Sequence, residues 1–204
     1  TSINKINDII KDVHIVIEVR DARIPFSSAH WYIDELVKKR NKKRIIILNK
    51  VDQCNINEQK SIKLKLKQDC HAILYTQGNK WKSMKPLIPI IKQLSSQKFH
   101  TLPTICLVVG YPNTGKSTII NALRQVSKSI IDKSSYKSHL KNKKLAKKAS
   151  IVKTGGKPGL TRHIQGFLVS ETPPILIKDT PGIMMPAQYL QHEKQVPIAI
   201  NIEI

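Results

Sequence analysis

Short apolar runs alternate along this chain with stretches in which apolar residues recur every three or four positions. The apolar runs are rich in β-branched residues, as is typical of buried strands. They predict strands at 12–19, 45–48, 71–75, 105–109, 163–170 and 175–178. The helical spacing predicts helices at 3–11, about 27–40, 56–69, about 82–97 and from 118 onwards.

Alternating strands and helices predict an α/β fold, with a mostly parallel, doubly wound sheet covered by helices on both faces. The last two predicted strands are joined by residues 171–174 without a helix, which favours an antiparallel hairpin. Ser27 and Ser28 are predicted to cap the second helix. Pro89 is expected to interrupt or restart the fourth helix, whereas Pro86 lies near its first turn.

The predicted strand 105–109 runs directly into a loop with the spacing Gly110-x-x-x-x-Gly115-Lys116-Ser117, and a helix follows. This is the structural context of a phosphate-binding P-loop. Backbone N–H groups of such a loop converge on one spot, and the helix dipole favours negative charge there. We expect Lys116 to contact the β- and γ-phosphates and Ser117 to ligate Mg²⁺.

Two other apolar strands also end in polar motifs. The strand 45–48 precedes Asn-Lys-Val-Asp at 49–52, and the strand 175–178 precedes Asp-Thr-Pro-Gly at 179–182. Ligands of parallel α/β sheets bind at the carboxyl ends of the strands. Both motifs are therefore expected to emerge beside the P-loop.

The two motifs predict a guanine-nucleotide site. Asp52 can accept hydrogen bonds from guanine N1–H and N2–H₂, whereas adenine has no donors at those positions. Asn49 is expected to face the O6 side of the base and brace the P-loop, with the Lys50 stem over the base plane. Asp179 is expected to hold Mg²⁺ through water, and the Gly182 N–H to contact the γ-phosphate.

A lysine-rich stretch at 128–157 separates the P-loop helix from the hairpin. It contains ten lysines, one acidic residue (Asp132) and few apolar residues, so we expect it to be largely mobile. Thr161 follows a glycine-rich segment and is expected to close on Mg²⁺ when GTP is bound. The insert either contacts RNA phosphates in a nucleotide-dependent way or is an insertion without a task, and the sequence leaves both open.

Charge is the main bulk feature of the chain. Its 35 Lys and Arg residues outnumber 14 Asp and Glu residues, which gives a formal net charge of +21. A polyanionic partner, nucleic acid before a membrane surface, is therefore expected, although a lysine-biased composition alone is the alternative. No apolar run approaches the roughly 20 residues that span a bilayer. Cys54, Cys70 and Cys106 lack metal-ligand spacing and are expected to be reduced thiols.

The order of the motifs is unusual, because the base-recognition motif 49–52 precedes the P-loop. A circular permutation gives this order while keeping the sheet contacts. The permuted order, together with Asp-Ala-Arg-Ile-Pro at 21–25 and Pro-Gly-Leu-Thr at 158–161, resembles the YlqF/RbgA family of circularly permuted GTPases. The resemblance covers residues from about 8 to 186, and the stretch 155–186 is most similar to the eukaryotic, mitochondrial branch.

The resemblance implies a P-loop NTPase with a circularly permuted G domain. Its activity would be GTP hydrolysis that assists assembly of the large subunit of a bacterial-type ribosome. The implied partners are GTP or GDP, the large subunit and its rRNA, and the implied metals are Mg²⁺ and K⁺. A mitochondrial location is expected, with another organelle or the bacterial cytoplasm as alternatives. Peripheral association with an organellar inner membrane and a monomeric state are further expectations.

By the same resemblance, residues are assigned to three roles. The predicted metal ligands are Ser117, Thr161 and Asp179 for Mg²⁺ and Asn113 for K⁺, and the predicted catalytic residues are Lys116 and Thr161. Thr76 and Gln77 would form the fifth guanine-contacting loop, although the usual Ser-Ala of the family is not present. The predicted GTP-binding residues are Asn49, Lys50, Val51, Asp52, Thr76, Gln77, Gly110, Pro112, Asn113, Thr114, Gly115, Lys116, Ser117, Thr118 and Gly182.

The chain also departs from the family pattern. Ile183 occupies the place of the glutamine that orients water in other GTPases, and an aliphatic side chain cannot do so. The family's candidate histidine lies in an N-terminal Pro-Gly-His segment that this chain does not contain, and His14 and His30 are interpreted as structural. Residues 1–186 are expected to form the GTPase domain, and 187–204 the start of a truncated C-terminal region.

Two alternative functions remain open from the sequence. One is a GTP-dependent RNA-binding switch with negligible hydrolysis. The other is a GTPase of membrane traffic or signalling, which the charge and the permutation disfavour.

Overall fold

The computed structural model describes residues 2–54, 56–95, 102–137, 165–171 and 173–180. The helices are α1 (Ser2–Ile9), α2 (Trp31–Lys39), α3 (Ile56–Leu66), α4 (Leu87–Leu94) and α5 (Lys116–Lys137). The strands are β1 (Ile15–Asp21), β2 (Lys43–Asn49), β3 (Ala72–Thr76), β4 (Thr104–Val109), β5 (Gln165–Glu171) and β6 (Pro174–Asp179). None of the helices in these ranges is both long enough and apolar enough to cross a bilayer.

The six strands form one sheet in the order β3-β2-β1-β4-β6-β5. All neighbouring pairs are parallel except β5 and β6, which are antiparallel. The predicted fold class, a mostly parallel sheet with an antiparallel hairpin, is therefore confirmed. Since β1, β2, β4 and β6 run in one direction, their carboxyl ends share one edge of the sheet.

The sheet is buried on both faces, as its continuous apolar strands require. On one face, Ile17 and Val108 belong to a core that includes apolar residues of α4 and α5. On the other face, Val16 and Leu107 pack with α1 and α2, and a separate cluster joins β2 and β3 to Leu66 of α3. The doubly wound arrangement predicted from the sequence is thus confirmed.

The start of α2 was predicted wrongly. Ser28 does not cap the helix: its hydroxyl donates to the Ile24 carbonyl at 2.7 Å and accepts from the Asp21 N–H at 3.0 Å. The serine therefore closes the turn after β1, and His30 occupies the N-cap position without a side-chain capping bond. The first strand is also displaced, from the predicted 12–19 to Ile15–Asp21, because 10–12 form a 3₁₀ turn.

The predicted fourth helix is interrupted at its first proline, Pro86. A 3₁₀ turn, Trp81–Met84, ends just ahead of Pro86, and α4 begins at Leu87. Pro89 lies in the first turn of α4, where a missing N–H costs no intrahelical hydrogen bond. The interruption is therefore at Pro86 and not at Pro89.

The P-loop helix is longer than the sequence suggested. It extends to Lys137, so residues 128–137 of the lysine-rich stretch are helical. Residues 138–157, Thr161, Gly182 and 187–204 lie outside the described residues, and the predictions made for them remain predictions.

A buried ionic cluster crosses the middle of the sheet. Glu18 of β1 has no exposed surface; Arg20 donates to its carboxylate at 3.1 Å, and Arg44 of β2 also contacts it. Arg44 continues to Asp34 of α2, and the His30 N–H donates to Glu18 at 3.0 Å. The cluster ties β1, β2 and α2 together, and its charges satisfy one another within an otherwise apolar layer.

Candidate functional site

The loop 110–115 connects β4 to α5, and its backbone requires glycine at two places. Gly110 has φ +149°, and a Cβ there would lie 2.4 Å from the Val19 carbonyl oxygen. Gly115 has φ +94°, and a Cβ there would lie 2.1 Å from Asn49 Nδ2. Both glycines thus allow approaches that any side chain would block.

The motif 49–52 lies against this loop. Asn49 Nδ2 donates to the Thr114 carbonyl at 3.0 Å, and Lys50 Nζ donates to the Asn113 carbonyl at 2.8 Å. The predicted contact between Asn49 and the P-loop is therefore confirmed. Lys50 and Asn113 both have left-handed backbones, with φ values of 66° and 65°. Non-glycine residues rarely adopt this conformation, and it is concentrated at functional sites.

The loop after β3 reaches the same asparagine. The Thr76 hydroxyl contacts Asn49 Oδ1 at 3.3 Å, and the Gly78 N–H donates to it at 2.9 Å. The Gln77 N–H is held by the Ser83 hydroxyl at 3.3 Å. The loop predicted to be the fifth guanine-contacting segment is therefore adjacent to the motif 49–52, although its sequence is atypical.

Asp52 and Val51 lie on the 3₁₀ turn Val51–Gln53 that follows β2. Asp52 is exposed and Val51 is half-buried. The turn leaves the sheet at the edge where the P-loop begins, so the carboxylate is accessible to a ligand there.

Lys116 begins α5 and is 8% exposed. Its ammonium donates to the Tyr111 carbonyl at 2.7 Å, and burial lowers its pKa to about 8, with Asp179 acting in the opposite direction. Ser117 and Thr118 follow in the first helical turn and are exposed. The first N–H groups of a helix have no intrahelical acceptor, so this end of α5 suits an anion.

Asp179 ends β6 beside the start of the P-loop, since the sheet pairs it with Val108 of β4. The Thr180 hydroxyl donates to the Val108 carbonyl at 2.8 Å and fixes the chain where it leaves the strand. Burial raises the pKa of Asp179, while Arg124 and Lys116 act in the opposite direction. A half-buried carboxylate and an exposed hydroxyl at Ser117 are hard oxygen donors of the kind that Mg²⁺ prefers.

Sequence reasoning missed the role of Asp21, the first residue of the motif 21–25. Its carboxylate accepts from Lys50 Nζ at 2.8 Å and from Arg23 at 2.7 Å. These contacts lower its pKa strongly, with the Arg23 hydrogen bond as the largest cause. Asp21 therefore holds Lys50 in place between β1 and the P-loop. The signal was available, because Asp21 comes just after the predicted strand 12–19, which ends at the same sheet edge.

The two histidines that were interpreted as structural, and not as water-activating, occupy structural positions. His14 precedes β1, and its Nδ1 accepts from the Ile105 N–H at 3.0 Å. His30 is fully buried and stacks on Tyr111 with ring centroids 4.7 Å apart. Burial lowers the pKa of His30, so it is a neutral ring that packs against Tyr111 of the P-loop.

Together, the fold and the site define a P-loop nucleotide-binding domain with permuted motif order. A family model described as MMR_HSR1, 50S ribosome-binding GTPase, matches residues 105–137. The chain is 34% identical over 191 residues to Mitochondrial ribosome-associated GTPase 1 of Mus musculus, and this covers 90% of the chain and 52% of that protein. It is 32% identical over 190 residues to Ribosome biogenesis GTPase A of Bacillus licheniformis, covering 89% of the chain and 58% of that protein.

A solved structure, the GDP-bound form of TM YlqF, is similar with a TM-score of 0.52 and 27% identity. The alignment covers 89% of this chain and 59% of the YlqF chain. The resemblance to the YlqF/RbgA family of circularly permuted GTPases, with the mitochondrial branch among its relatives, is therefore confirmed. The chain spans about half the length of the curated relatives it matches.

Proposed function

We propose that this chain binds GTP and hydrolyses it, and that it acts as an assembly factor for the large subunit of a bacterial-type ribosome in mitochondria. One observation carries the nucleotide site: Asn49 and Lys50, which precede the P-loop by some sixty residues, donate hydrogen bonds to its Thr114 and Asn113 carbonyls. The names of the relatives support the ribosomal role and the location.

In this proposal each segment has its own chemical task. Asp52 accepts from the guanine N1–H and N2–H₂, and Lys50, held by Asp21, lies over the base plane. Lys116 and the N-terminal amides of α5 hold the phosphates, so that charge developing on them is stabilised by groups already in place. Pro112 and the other P-loop residues give the P-loop its shape around the phosphates. The loop that contains Thr76 and Gln77 lies beside the guanine base.

The residues present fit a divalent ion. Ser117 and Asp179 would hold Mg²⁺, with Thr161 joining them when GTP is bound, and the Gly182 N–H would contact the γ-phosphate. When bound, Mg²⁺ would neutralise phosphate charge. K⁺ beside Asn113 is proposed to supply further positive charge. A monomeric state and peripheral contact with an inner membrane remain predictions.

Single-turnover hydrolysis tests the enzymatic part of the proposal. GTP should be hydrolysed slowly by the chain alone and faster with large ribosomal subunits and K⁺ than with subunits and Na⁺. ATP should not be hydrolysed under either condition. If GTP binds but subunits leave the rate unchanged, the alternative of a GTP-dependent RNA-binding switch is favoured, to which Ile183 in place of the usual glutamine lends support.

Asp52→Asn tests base recognition directly. An amide can accept from N1–H and donate to the C2 carbonyl of xanthine, but it loses one of the two acceptors that guanine needs. The variant should therefore bind GDP at least 10-fold more weakly and prefer xanthosine diphosphate. Asp69→Asn, at an exposed carboxylate in the turn before β3, is the matched control and should keep the wild-type preference. Unchanged preference in Asp52→Asn would remove Asp52 from the site.

A further inference from the structure

The backbone carbonyl of Tyr111, the second residue of the P-loop, accepts hydrogen bonds from two nearby side chains. Lys116 Nζ donates to it at 2.7 Å, and the Thr114 hydroxyl donates to it at 2.9 Å. Lys116 and Thr114 are both buried, so neither side chain is free to move into solvent. The position of the Tyr111 backbone therefore determines where the Lys116 ammonium, the predicted phosphate contact, lies.

The side chain of Tyr111 is held by a residue outside the P-loop. Its ring stacks on the His30 ring, with centroids 4.7 Å apart and planes inclined by 21°. Tyr111 is half-buried, whereas His30 has no exposed surface and forms the inner side of the stack. The segment that follows β1 thus contacts the P-loop through His30, as it contacts the motif 49–52 through Asp21.

The backbone of His30 is fixed on both sides. Its N–H donates to Glu18 Oε1 at 3.0 Å, and its carbonyl accepts the Asp34 N–H at 3.0 Å in the first turn of α2. Glu18 belongs to the buried ionic cluster in the middle of the sheet. The ring that meets Tyr111 therefore projects from a backbone that the sheet itself holds in place.

The polar atoms of the His30 ring do not explain why it is buried. The side chain makes no capping bond to α2, and neither ring nitrogen is hydrogen-bonded to another residue in the part of the chain that the structure describes. Buried polar atoms without a partner are costly. Burial lowers the pKa of His30 and the Lys116 charge lowers it further, although Glu18 acts in the opposite direction. What the ring offers Tyr111 is therefore a flat, neutral face that does not repel the Lys116 ammonium.

We propose that His30 is a positioning residue for the nucleotide phosphates. Its ring holds the Tyr111 ring, and the Tyr111 carbonyl holds Lys116 before a ligand arrives. The inference rests on the proposed nucleotide function, and it adds a residue that belongs to none of the nucleotide-binding motifs. Donors that are already in place lose less freedom on binding, so the stack should raise phosphate affinity. Recognition of the base should not depend on it, because Asp52 lies on a different segment, the turn after β2.

The test compares GDP with guanosine, which carries the base and no phosphate. His30→Ala should weaken GDP binding roughly 3- to 10-fold, the loss expected for one aromatic stack. Guanosine affinity, measured by competition with a fluorescent GDP analogue, should stay unchanged. Ile33→Val on the same helix is the matched control, because it removes a methyl group from a buried cluster that contains no P-loop residue. It should leave both affinities unchanged.

Two further substitutions separate stacking from other roles of the ring. His30→Phe keeps a flat ring and should bind GDP as tightly as the wild type. It should also melt at or above the wild-type temperature, because it buries no unpartnered nitrogen. The double variant His30→Ala with Tyr111→Leu should bind GDP no more weakly than the weaker single variant, because both substitutions remove the same stack. If His30→Ala does not fold, Tyr111→Leu breaks the stack from the loop side and should show the same selective loss of GDP affinity.

Several results would overturn the inference. Equal losses of GDP and guanosine affinity in His30→Ala would mean a general structural effect. Weak GDP binding by His30→Phe, with recovery in His30→Gln, would assign the effect to a ring nitrogen and not to the stack. If the wild type binds GDP and His30→Ala matches it, the inference fails and the proposed nucleotide function stands. If the wild type binds GDP no better than ADP, the proposed guanine-nucleotide function itself fails, whatever the variants do.

Discussion

Gly115 is the residue at which the P-loop and the motif 49–52 come closest. A Cβ at this position would lie 2.1 Å from Asn49 Nδ2, and its φ of +94° is unfavourable for any other residue. We expect Gly115→Ala to separate Asn49 from the P-loop and to lower GDP affinity at least 100-fold, as measured by titration calorimetry. The free energy of unfolding should fall by about 1–3 kcal/mol, because a strained backbone is added.

Gly166 provides the matched control for this substitution. Its φ is not in the left-handed region, and a Cβ there would meet Leu176 Cδ1 at 3.5 Å, an ordinary contact. Gly166→Ala should leave GDP affinity unchanged and stabilise the chain slightly, by about 0.4–1 kcal/mol. Similar GDP affinities for the two alanine variants would show that the close approach at Gly115 is not required.

Lys116 gives a prediction about pH. Burial lowers its pKa to about 8 in the absence of ligand, whereas phosphates would raise it by favouring the charged form. Nucleotide affinity should therefore be full below pH 8 and fall as the pH rises through 8, because the lysine must then take up a proton on binding. Calorimetry in two buffers of different ionisation enthalpy should show uptake of about half a proton per GDP at pH 8.

The control for the pH prediction is Lys116→Met, which cannot take up that proton. Its remaining GDP binding should be weak and nearly independent of pH between 7 and 9. Proton uptake equal to that of the wild type would assign the titration to another group.

At the scale of the element, Asp21 connects the end of β1 to the motif 49–52, because its carboxylate accepts a hydrogen bond from Lys50. Asp21→Asn should loosen Lys50, whose ammonium then keeps only its bond to the Asn113 carbonyl. Hydrogen bonds to charged groups contribute about 1.5–3 kcal/mol, so GDP should bind roughly 10- to 100-fold more weakly. The double variant, Asp21→Asn with Lys50→Met, should bind GDP only slightly more weakly than Lys50→Met alone. If the losses of GDP affinity in the two single variants add fully in the double variant, Asp21 and Lys50 are not coupled.

Strand β1 contains a fully buried carboxylate at Glu18. Burial alone would raise its pKa, but Arg20 and Arg44 lower it overall. Glu18→Gln leaves both arginines without their full partner and should cost about 3–5 kcal/mol. The melting temperature should fall by roughly 6–20 °C, measured by circular dichroism at pH 7. Asp8→Asn, which removes an exposed pair with Lys11, should shift it by less than about 4 °C.

The same substitution predicts a pH dependence. Because the folded pKa of Glu18 lies below its ordinary value, the cluster contributes its full stability above that value of about 4.3 and loses it as the pH falls through the folded pKa. The difference in melting temperature between wild type and Glu18→Gln should therefore shrink below about pH 4. A constant difference down to pH 3 would contradict the assignment.

At the scale of the whole molecule, the pattern of the sequence predicted the sheet, the hairpin and the shared strand edge. Continuous apolar runs and the P-loop spacing depend on local chemistry, so they are visible without coordinates. The contact of Asn49 with the P-loop was also predicted, because both belong to recognisable motifs, but other contacts between tertiary neighbours were not. Ser28 resembles a helix cap but serves the turn after Asp21, and Glu18 resembles an exposed position in a strand but lies at the centre of an ionic cluster.

Convergence of distant segments on one edge predicts that a ligand contacting all of them stabilises the whole domain. GDP at about 100 times its dissociation constant should add about 2.7 kcal/mol, which raises the melting temperature by roughly 5–10 °C for a chain of this size. ADP should add little, because Asp52 finds no donors on adenine. Lys116→Met should lose most of the GDP shift, which ties the effect to the P-loop and not to the charge of the chain. An equal shift with ADP would mean that the loop holds phosphates without recognising the base, and the motif 49–52 would then serve only to brace the P-loop.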